Sequence, residues 1–225
     1  MQRIKTGIPG LDKKLQGGFP AGSSILFIGP PGCGKSTVSQ QFIYEGMKNK
    51  QPGLYTILDT SPDEIRETMK TFGWKTNGNL TFIDAYSWRV GNIEGPFTLS
   101  NLSNINELNI MISRAIDKVG AGKIRRSIFD SVSTLLLYAD PNLVVKMMPV
   151  IIAKLKKADF NQILILEEGV HDPQTVTTLN YLTDGVIEFK MEEDKRFMRI
   201  ARMKGTKHKR DWFQFDITDK GVVMK

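Results

Sequence analysis

Cysteine and histidine are scarce in this chain, which contains a single cysteine, Cys33, and two histidines, His171 and His208. One thiol cannot form an internal disulfide, so we expect a reducing compartment such as the cytoplasm. A structural zinc site takes about four Cys or His ligands close together. Three such residues, well separated along the chain, do not supply them.

Long apolar runs are also absent. No stretch of about 18 consecutive apolar residues occurs, which predicts that no segment spans a membrane. The N-terminal sequence MQRIKTGIPG lacks the apolar core of a secretory signal peptide, so we expect no secretion. We find no internal repeat, no low-complexity tract and no linker. The 225 residues therefore fit one domain, residues 1–225, with a substantial core.

The formal net charge is +7, and the basic residues are densest between Lys195 and Arg210. A basic surface of this kind suits polyanions, either nucleic acid or the phosphates of a nucleotide. A solvated strand face carrying the same charges is the alternative. Charge alone does not separate these interpretations.

Apolar runs typical of buried strands alternate along the chain with amphipathic patterns typical of helices. This alternation predicts an α/β fold with a mostly parallel central sheet flanked by helices. After Asp184, short alternating segments predict antiparallel C-terminal strands that extend the sheet. The predicted parallel strands are residues 24–29, 53–58, 80–85, 127–130 and 162–167, the helices 35–48, 62–72, 105–119 and 143–158, and the C-terminal strands 185–190, 196–203 and 212–217.

The segment SILFIGPPGCGKST contains the pattern G-x-x-x-x-G-K-S between a predicted strand and a predicted helix. This is the context of a P-loop, whose glycines turn backbone N–H groups toward phosphate while the helix adds its positive N-terminal end. Lys35 is expected to reach the β- and γ-phosphates, and the Ser36 hydroxyl to bind Mg²⁺. The pattern predicts ATP or another nucleoside triphosphate, held by Gly29, Pro30, Pro31, Gly32, Cys33, Gly34, Lys35, Ser36 and Thr37.

A P-loop also requires an acidic residue near the metal, at the end of a neighbouring strand. Asp130 ends the apolar run SIFD and precedes small hydroxyl residues, so it is the candidate second Mg²⁺ ligand. A lone aspartate at a strand end more often caps a turn or helix, but the P-loop favours the metal role. Cys33 occupies a variable position of the pattern, and we expect its thiol to have no role.

Three stretches together resemble the KaiC-like and RadA-like branch of the RecA-superfamily ATPases. They are TGIPGLDKKLQGGFPAGS at residues 6–23, the P-loop with the SPDEI…FGW run that ends at residue 74, and RMKGTKHKRDWFQFDITDKGV at residues 202–222. The similarity covers almost the whole chain and points to a single-domain KaiC-like protein. It implies a RecA-like P-loop core and a homo-oligomeric ring, such as a hexamer, or a filament with ATP between neighbouring subunits.

The resemblance also implies that basic residues of one subunit reach the nucleotide bound by the next. Arg202 and Lys204 match the residues that contact the γ-phosphate, in inverted order relative to the usual Lys and Arg. His208, Arg210 and Asp219 match positions that contact the ribose or base. Lysine lacks the bidentate fork of arginine, so the strength and geometry of the contact are expected to differ. A solvated hairpin and a nucleic-acid patch are the alternatives for this stretch.

The stretch LDTSPDEI departs from the family pattern, in which two glutamates precede Ser-Pro. Ser61, Pro62 and Glu64 form a capping box in which the Glu64 side chain reaches back to the N-cap amide, and Asp63 adds first-turn charge. That leaves Asp59 as the candidate base for the attacking water, with a reach roughly 1.5 Å shorter than that of glutamate. Because misplacement by about 1 Å can cost ~100-fold in rate, we expect slow hydrolysis.

Two further acids, Glu167 and Glu168, follow the strand QILIL at the place where relatives have a polar sensor. They are alternative candidates for the acid that orients the attacking water. The other interpretation is the solvated start of a loop.

Several functions are compatible with these patterns. The favoured one is an ATPase that assembles through its nucleotide and hydrolyses slowly in a signalling or regulatory role, with a protein partner. The second is an ATP-dependent oligomeric scaffold without turnover. The third is a RadA-like single-stranded DNA-binding protein, suggested by the net charge and by Trp88 and Arg89 in the long loop 85–104. A small-molecule kinase is least favoured, because no lid or acceptor-site pattern is evident.

Overall fold

A nine-stranded sheet forms the centre of the computed structural model, which describes residues 1–76, 78–120 and 124–225. Its strands are β3 (Ser24–Gly29), β4 (Gly53–Ile57), β5 (Leu80–Asp84), β6 (Arg125–Asp130), β7 (Phe160–Glu167), β8 (Gly185–Glu192), β9 (Lys195–Met203), β10 (Phe213–Thr218) and β11 (Gly221–Met224). Strands β1 (Arg3–Ile4) and β2 (Phe19–Pro20) form a separate pair. The helices are α1 (Pro9–Lys14), α2 (Lys35–Lys48), α3 (Pro62–Thr71), α4 (Ile105–Val119), α5 (Val132–Tyr138), α6 (Pro141–Lys157) and α7 (Pro173–Leu182).

The strand order across the sheet is β11-β10-β9-β8-β3-β7-β6-β4-β5. Strands β8, β3, β7, β6, β4 and β5 run parallel to one another, and β9, β10 and β11 continue the sheet in antiparallel fashion. The register places Gly29 beside Glu167 and Ile57 beside Asp130. The ends of four neighbouring strands therefore meet at one sheet edge, where open α/β sheets bind their ligands.

Apolar side chains are buried on both faces of the sheet, because helices cover both. Ile25 and Phe27 of β3 pack with Phe42 of α2 in one core cluster. Leu26 points to the opposite face, where it belongs to a second cluster with Met148 of α6. This arrangement explains why the parallel strands are almost continuously apolar in sequence.

The predicted α/β fold with antiparallel C-terminal strands is confirmed, and the predicted element boundaries agree with the structure to about two residues. Helices α1, α5 and α7 and strands β1, β2 and β11 were not predicted. Helix α5 has only seven residues, and α7 is rich in threonine, which has a low helix propensity. An aspartate, Asp172, stabilises the start of α7 by accepting a hydrogen bond from the Thr175 backbone N–H. None of the described helices is long and apolar enough to cross a membrane.

Candidate nucleotide-binding site

The turn between β3 and α2 has the backbone conformation that a phosphate-binding loop requires. Gly34, the N-cap of α2, has φ +97° and ψ 11°, a left-handed conformation that favours glycine. A Cβ at this position would lie 3.1 Å from Ile217 Cδ1. Gly29 is constrained differently, since a Cβ there would lie 2.5 Å from the Phe189 carbonyl oxygen of β8. Both glycines therefore keep the loop close to the neighbouring strands.

Lys35 is buried at the first residue of α2 and binds atoms of the P-loop itself. Its Nζ donates hydrogen bonds to the carbonyls of Gly29 at 2.8 Å and Pro30 at 2.7 Å. It also lies 2.9 Å from Glu167 Oε2 and 3.5 Å from Cys33 Sγ. Burial is the main reason that the pKa of the Cys33 thiol is raised, so this thiol stays neutral. The Cys33 side chain is part of the core, and only its backbone is suited to contact phosphate.

Asp130 lies at the end of β6, next to the P-loop. The Tyr55 hydroxyl donates a hydrogen bond of 2.9 Å to Asp130 Oδ2. Burial raises the pKa of Asp130 to about 6, and the negative charges of Asp59 and Glu167 act in the same direction, while hydrogen bonding from Tyr55 and Ser36 lowers it. Within the described residues, no Lys, Arg or His forms a salt bridge with this carboxylate.

These residues fit a magnesium ion. Mg²⁺ prefers oxygen ligands and is usually bound by one or two protein oxygens together with substrate phosphates. The Ser36 hydroxyl lowers the pKa of the Asp130 carboxylate, and Ser36 lines the cleft above the loop that would hold the phosphates. A cation held by Ser36 and Asp130 would supply a countercharge to the buried carboxylate.

Asp59 lies beside Asp130 through the pairing of β4 with β6. The backbone N–H of Leu58 donates to the Asp130 carbonyl at 2.7 Å, which brings the residue after it to the same sheet edge. Asp59 is exposed, and its Oδ1 accepts a short hydrogen bond from the hydroxyl of Thr134 in α5. The candidate base therefore lies at the same sheet edge as Asp130, with one oxygen already bonded within the protein.

The acids after Asp59 belong to the start of α3. The Ser61 side chain is the N-cap and accepts a hydrogen bond of 3.2 Å from the Glu64 backbone N–H. We predicted a reciprocal bond from the Ser61 backbone N–H to the Glu64 carboxylate, and this prediction is wrong. That carboxylate instead binds the hydroxyls of Thr60 and Ser61. The Thr60 hydroxyl donates to Oε2 and the Ser61 hydroxyl to Oε1, so both carboxylate oxygens already have a partner. Asp63 pairs with Arg66 at 2.7 Å.

Glu167 has a defined position, whereas Glu168 is exposed. The backbone N–H of Glu167 donates to the Ser133 hydroxyl at 2.8 Å. The same hydroxyl lies 2.7 Å from His171 Nε2. Burial lowers the pKa of His171, which favours the neutral ring as the partner of Ser133. The carboxylate that pairs with Lys35 is thus anchored to α5 and to the loop after β7.

The cleft above the P-loop has a volume of about 280 Å³. It is lined by Gly32, Gly34, Ser36 and Thr37, together with Arg196 of β9 and Ile217 of β10. Sequence reasoning missed Arg196, because only the antiparallel extension of the sheet brings it beside the loop. It also missed Tyr55 as the partner of Asp130. The signal for Tyr55 was a hydroxyl within an otherwise apolar predicted strand.

The predicted basic residues of the C-terminal part differ in their surroundings. Arg202 is turned toward its own subunit, and its Nη2 donates to the carbonyl of Asn180 and, at 2.8 Å, to that of Thr183. Lys204 and Arg210 are exposed. Neither of them has a salt-bridge partner within the described residues.

His208 and Asp219 complete the predicted C-terminal set. His208 is half-buried, and its Nδ1 lies 2.9 Å from the Thr206 carbonyl, so it donates a hydrogen bond there. Asp219 is exposed in the turn between β10 and β11. None of the residues in this set is brought together with the P-loop of the same chain, whose cleft they do not line.

The two residues that suggested a DNA-binding loop have structural contacts. Trp88 Nε1 donates to the Ala85 carbonyl at 3.0 Å, and the ring packs edge-on against Tyr138 with 5.8 Å between centroids. The guanidinium of Arg89 lies 4.5 Å from the centroid of the same tyrosine ring. Trp88 is therefore packed on its own domain.

Comparisons with known proteins agree with this geometry. The UPF0273 protein PF1931 of Pyrococcus furiosus is 32% identical over 244 residues, covering 100% of this chain and 94% of the relative. A UPF0273 protein of Thermotoga maritima is 30% identical over 239 residues, covering 100% and 96%. The crystal structure of the KaiC-like protein PH0186 of Pyrococcus horikoshii superimposes with a TM-score of 0.84 at 26% identity, covering 100% of this chain and 99% of that one.

The family model described as "ATPase: KaiC" matches residues 4–225, nearly the entire chain. The match includes the P-loop, the strand end that carries Asp130 and the basic C-terminal stretch. The chain belongs to the KaiC family of RecA-like P-loop ATPases and has the ATP-binding function of that family.

Proposed function

We propose that this protein binds Mg²⁺–ATP at the P-loop, assembles into a homo-oligomer through nucleotide at subunit interfaces, and hydrolyses ATP slowly in a cytoplasmic signalling or regulatory role. The observation that carries the proposal is the grouping of Lys35, Ser36 and Asp130 at one sheet edge, with Asp59 beside them. These are a phosphate ligand, two metal ligands and a carboxylate able to accept a proton.

In the proposed hydrolysis, one bond forms and one bond breaks at the γ-phosphorus. The oxygen of a water molecule bonds to the γ-phosphorus, the bond from that phosphorus to the bridging oxygen breaks, and ADP leaves with the electron pair. The water proton passes to Asp59. Lys35 neutralises charge on the phosphate oxygens, and bound Mg²⁺ supplies further neutralisation there.

Slow turnover follows from the position of the base. A general base is efficient when one oxygen is within about 2.6–3.2 Å of the proton it removes. Oδ1 of Asp59 already accepts a hydrogen bond from the Thr134 hydroxyl, which leaves Oδ2 for water. The short aspartate side chain adds to the distance from the phosphate.

Assembly through nucleotide is supported by the exposed cations. Lys204 and Arg210 are exposed, so both are available to the nucleotide of a neighbouring subunit. Arg202 has a different role in this proposal. Its bonds to the carbonyls that end α7 anchor β9, so it positions the stretch that carries Lys204.

The second candidate function is a scaffold that binds ATP without turnover. The ion pair between Lys35 and Glu167 favours it, because the P-loop lysine has a charged partner within its own chain. In that case ATP displaces Glu167 from Lys35 and orders a subunit interface, and no phosphate is released.

Two measurements test the proposal. Phosphate release is compared among the wild type, Lys35→Ala and Asp59→Ala, and we expect slow release by the wild type and none above background by either variant. Wild-type release no faster than that of Lys35→Ala contradicts the ATPase proposal and leaves the scaffold. Light scattering with and without Mg²⁺–ATP tests assembly, and a monomer under both conditions contradicts the roles of Lys204 and Arg210 in trans.

A further inference from the structure

Tyr55 lies in the middle of β4, a strand that is buried along its whole length. The residue is 0% exposed, and its ring stacks on that of Phe82 with 6.0 Å between the centroids. A phenylalanine would make the same ring contact without placing a hydroxyl group in the core. Burying a hydroxyl group costs free energy unless it is hydrogen-bonded. The Tyr55 hydroxyl therefore needs a partner, and its partner is the Asp130 carboxylate.

The pairing of β4 with β6 brings these two residues together. Ile57 is the direct neighbour of Asp130 in the register. Tyr55 lies two residues before Ile57, so its side chain is on the same face of the sheet. A long aromatic side chain can reach the diagonal neighbour on the adjacent strand. The Tyr55 hydroxyl does so and donates a hydrogen bond of 2.9 Å to Asp130 Oδ2, which makes this contact a consequence of strand register.

Helix α2 adds a third residue to this contact. Gln40 is 3% exposed and lies four residues after Ser36, so the two share one face of the helix. Burial raises the pKa of the Tyr55 hydroxyl well above its ordinary value, and a side-chain hydrogen bond from Gln40 acts in the opposite direction. Gln40 Oε1 is buried with no hydrogen-bond partner in the described part of the chain, so the amide nitrogen is the donor to Tyr55. A hydroxyl group that accepts one hydrogen bond is a stronger donor to the next.

The Asp130 carboxylate, which accepts this hydrogen bond, is one of the two groups of the chain that fit Mg²⁺, together with the Ser36 hydroxyl. Carboxylates that bind a metal are usually hydrogen-bonded themselves, and loss of such an outer partner typically weakens metal binding by about 10- to 100-fold. A hydrogen bond to one carboxylate oxygen restricts the rotation of the whole group. Tyr55 supplies this restriction from inside the core.

We propose that Tyr55 is a positioning residue for the magnesium site, which holds the Asp130 carboxylate in the orientation that binds Mg²⁺–ATP, and that Gln40 aligns the Tyr55 hydroxyl. The inference rests on the proposed binding of Mg²⁺–ATP at the P-loop and does not depend on turnover or assembly. The alternative is a hydrogen bond that only offsets the burial of Asp130 and contributes to stability alone. The two roles differ in whether the effect of removing the hydroxyl depends on the metal.

Calorimetric titration with ATP, in Mg²⁺ and in EDTA, separates these roles. Tyr55→Phe keeps the ring and removes the hydroxyl group. We expect its affinity for ATP to fall at least about 10-fold in Mg²⁺ and to change less than about 2-fold in EDTA, because only the first complex contains the metal. Wild-type affinity of Tyr55→Phe in Mg²⁺ overturns the proposal. Equal losses in Mg²⁺ and EDTA also overturn it, because they show an effect that does not involve the metal.

Two further variants test the assignment to these residues. The matched control is Tyr44→Phe, which removes the same group from a ring of α2 that stacks on Trp74, and we expect unchanged ATP affinity in Mg²⁺. A loss equal to that of Tyr55→Phe overturns the assignment. Gln40→Met leaves Tyr55 intact and is expected to weaken ATP binding about 3-fold in Mg²⁺ but not in EDTA. Unchanged affinity of Gln40→Met in Mg²⁺ overturns the aligning role of Gln40.

Asp130→Asn distinguishes failure of this inference from failure of the proposed function. We expect it to weaken Mg²⁺–ATP binding more than Tyr55→Phe does. The double variant should bind no more weakly than Asp130→Asn alone, because Tyr55 acts through that carboxylate. Wild-type affinity of Asp130→Asn in Mg²⁺ contradicts the proposed metal ligand itself. A loss in Asp130→Asn with none in Tyr55→Phe overturns only the positioning role, and further weakening in the double variant contradicts action through Asp130.

Discussion

The Nζ of Lys35 lies 2.9 Å from Oε2 of Glu167, so the P-loop lysine is paired with a carboxylate of its own chain. The side chains are 3% and 27% exposed, respectively, which means that water screens the pair only in part. The register of β3 and β7 sets Glu167 beside Gly29 and so fixes this relationship. A bound triphosphate competes with Glu167 for the same ammonium group.

Removing this competition is expected to strengthen nucleotide binding. Glu167→Gln keeps the size of the side chain but removes its charge, so phosphate no longer displaces an anion from Lys35. Because Glu167 is partly exposed, we expect a modest effect, about 3- to 10-fold tighter ATP binding. Titration with a fluorescent ATP analogue measures it. The matched control is Glu168→Gln, which should have no effect, and weaker binding by Glu167→Gln contradicts the competition.

Asp59 is the residue on which turnover depends in the proposed mechanism. Asp59→Asn preserves shape but cannot accept the proton, so we expect phosphate release to fall by ~100-fold or more while ATP affinity changes less than about 2-fold. The control is Asp63→Asn, which removes a nearby exposed acid that belongs to the α3 helix start. A rate that is lost equally in both variants argues for a structural effect. An unchanged rate in Asp59→Asn assigns the base elsewhere.

Sequence patterns predicted those parts of the molecule that depend on local order along the chain. The P-loop, the strand ending in Asp130 and the Ser61 N-cap are all short-range features. The Lys35–Glu167 pair joins residues 132 positions apart and depends on strand order, which no local pattern specifies. Arg196 enters the cleft for the same reason. The internal hydrogen bonds of Arg202 likewise depend on packing between α7 and β9.

The helix start after Asp59 gives a prediction about stability alone. Ser61→Ala removes the acceptor for the Glu64 backbone N–H and is expected to lower the free energy of unfolding by about 1 kcal/mol. Urea denaturation measures this change. Thr68→Ala in the middle of the exposed face of α3 is the control, and it should be neutral or slightly stabilising because alanine has the higher helix propensity. Equal destabilisation by both variants would show that Ser61 is not acting as a cap.

His171 gives a prediction about pH. Burial lowers its pKa below the ordinary value of 6.5, so in the folded protein the ring stays neutral at pH values where the unfolded chain binds a proton. The neutral ring therefore contributes stability above about pH 6.5, and this contribution is lost as the pH falls through the lowered pKa of the folded state. His171→Gln cannot titrate but can still bond to the Ser133 hydroxyl.

Unfolding by urea at pH 7.5 and pH 5.5 tests the role of His171. The wild type is expected to lose more stability between these pH values than His171→Gln does, because unfolding of the wild type lets the residue at position 171 gain a proton, whereas glutamine there cannot. The decrease that both proteins share reports the other titrating groups. Equal losses would mean that His171 has the same pKa in the folded and unfolded states. A larger loss in the variant would reverse the sign and place the protonated ring in the native structure.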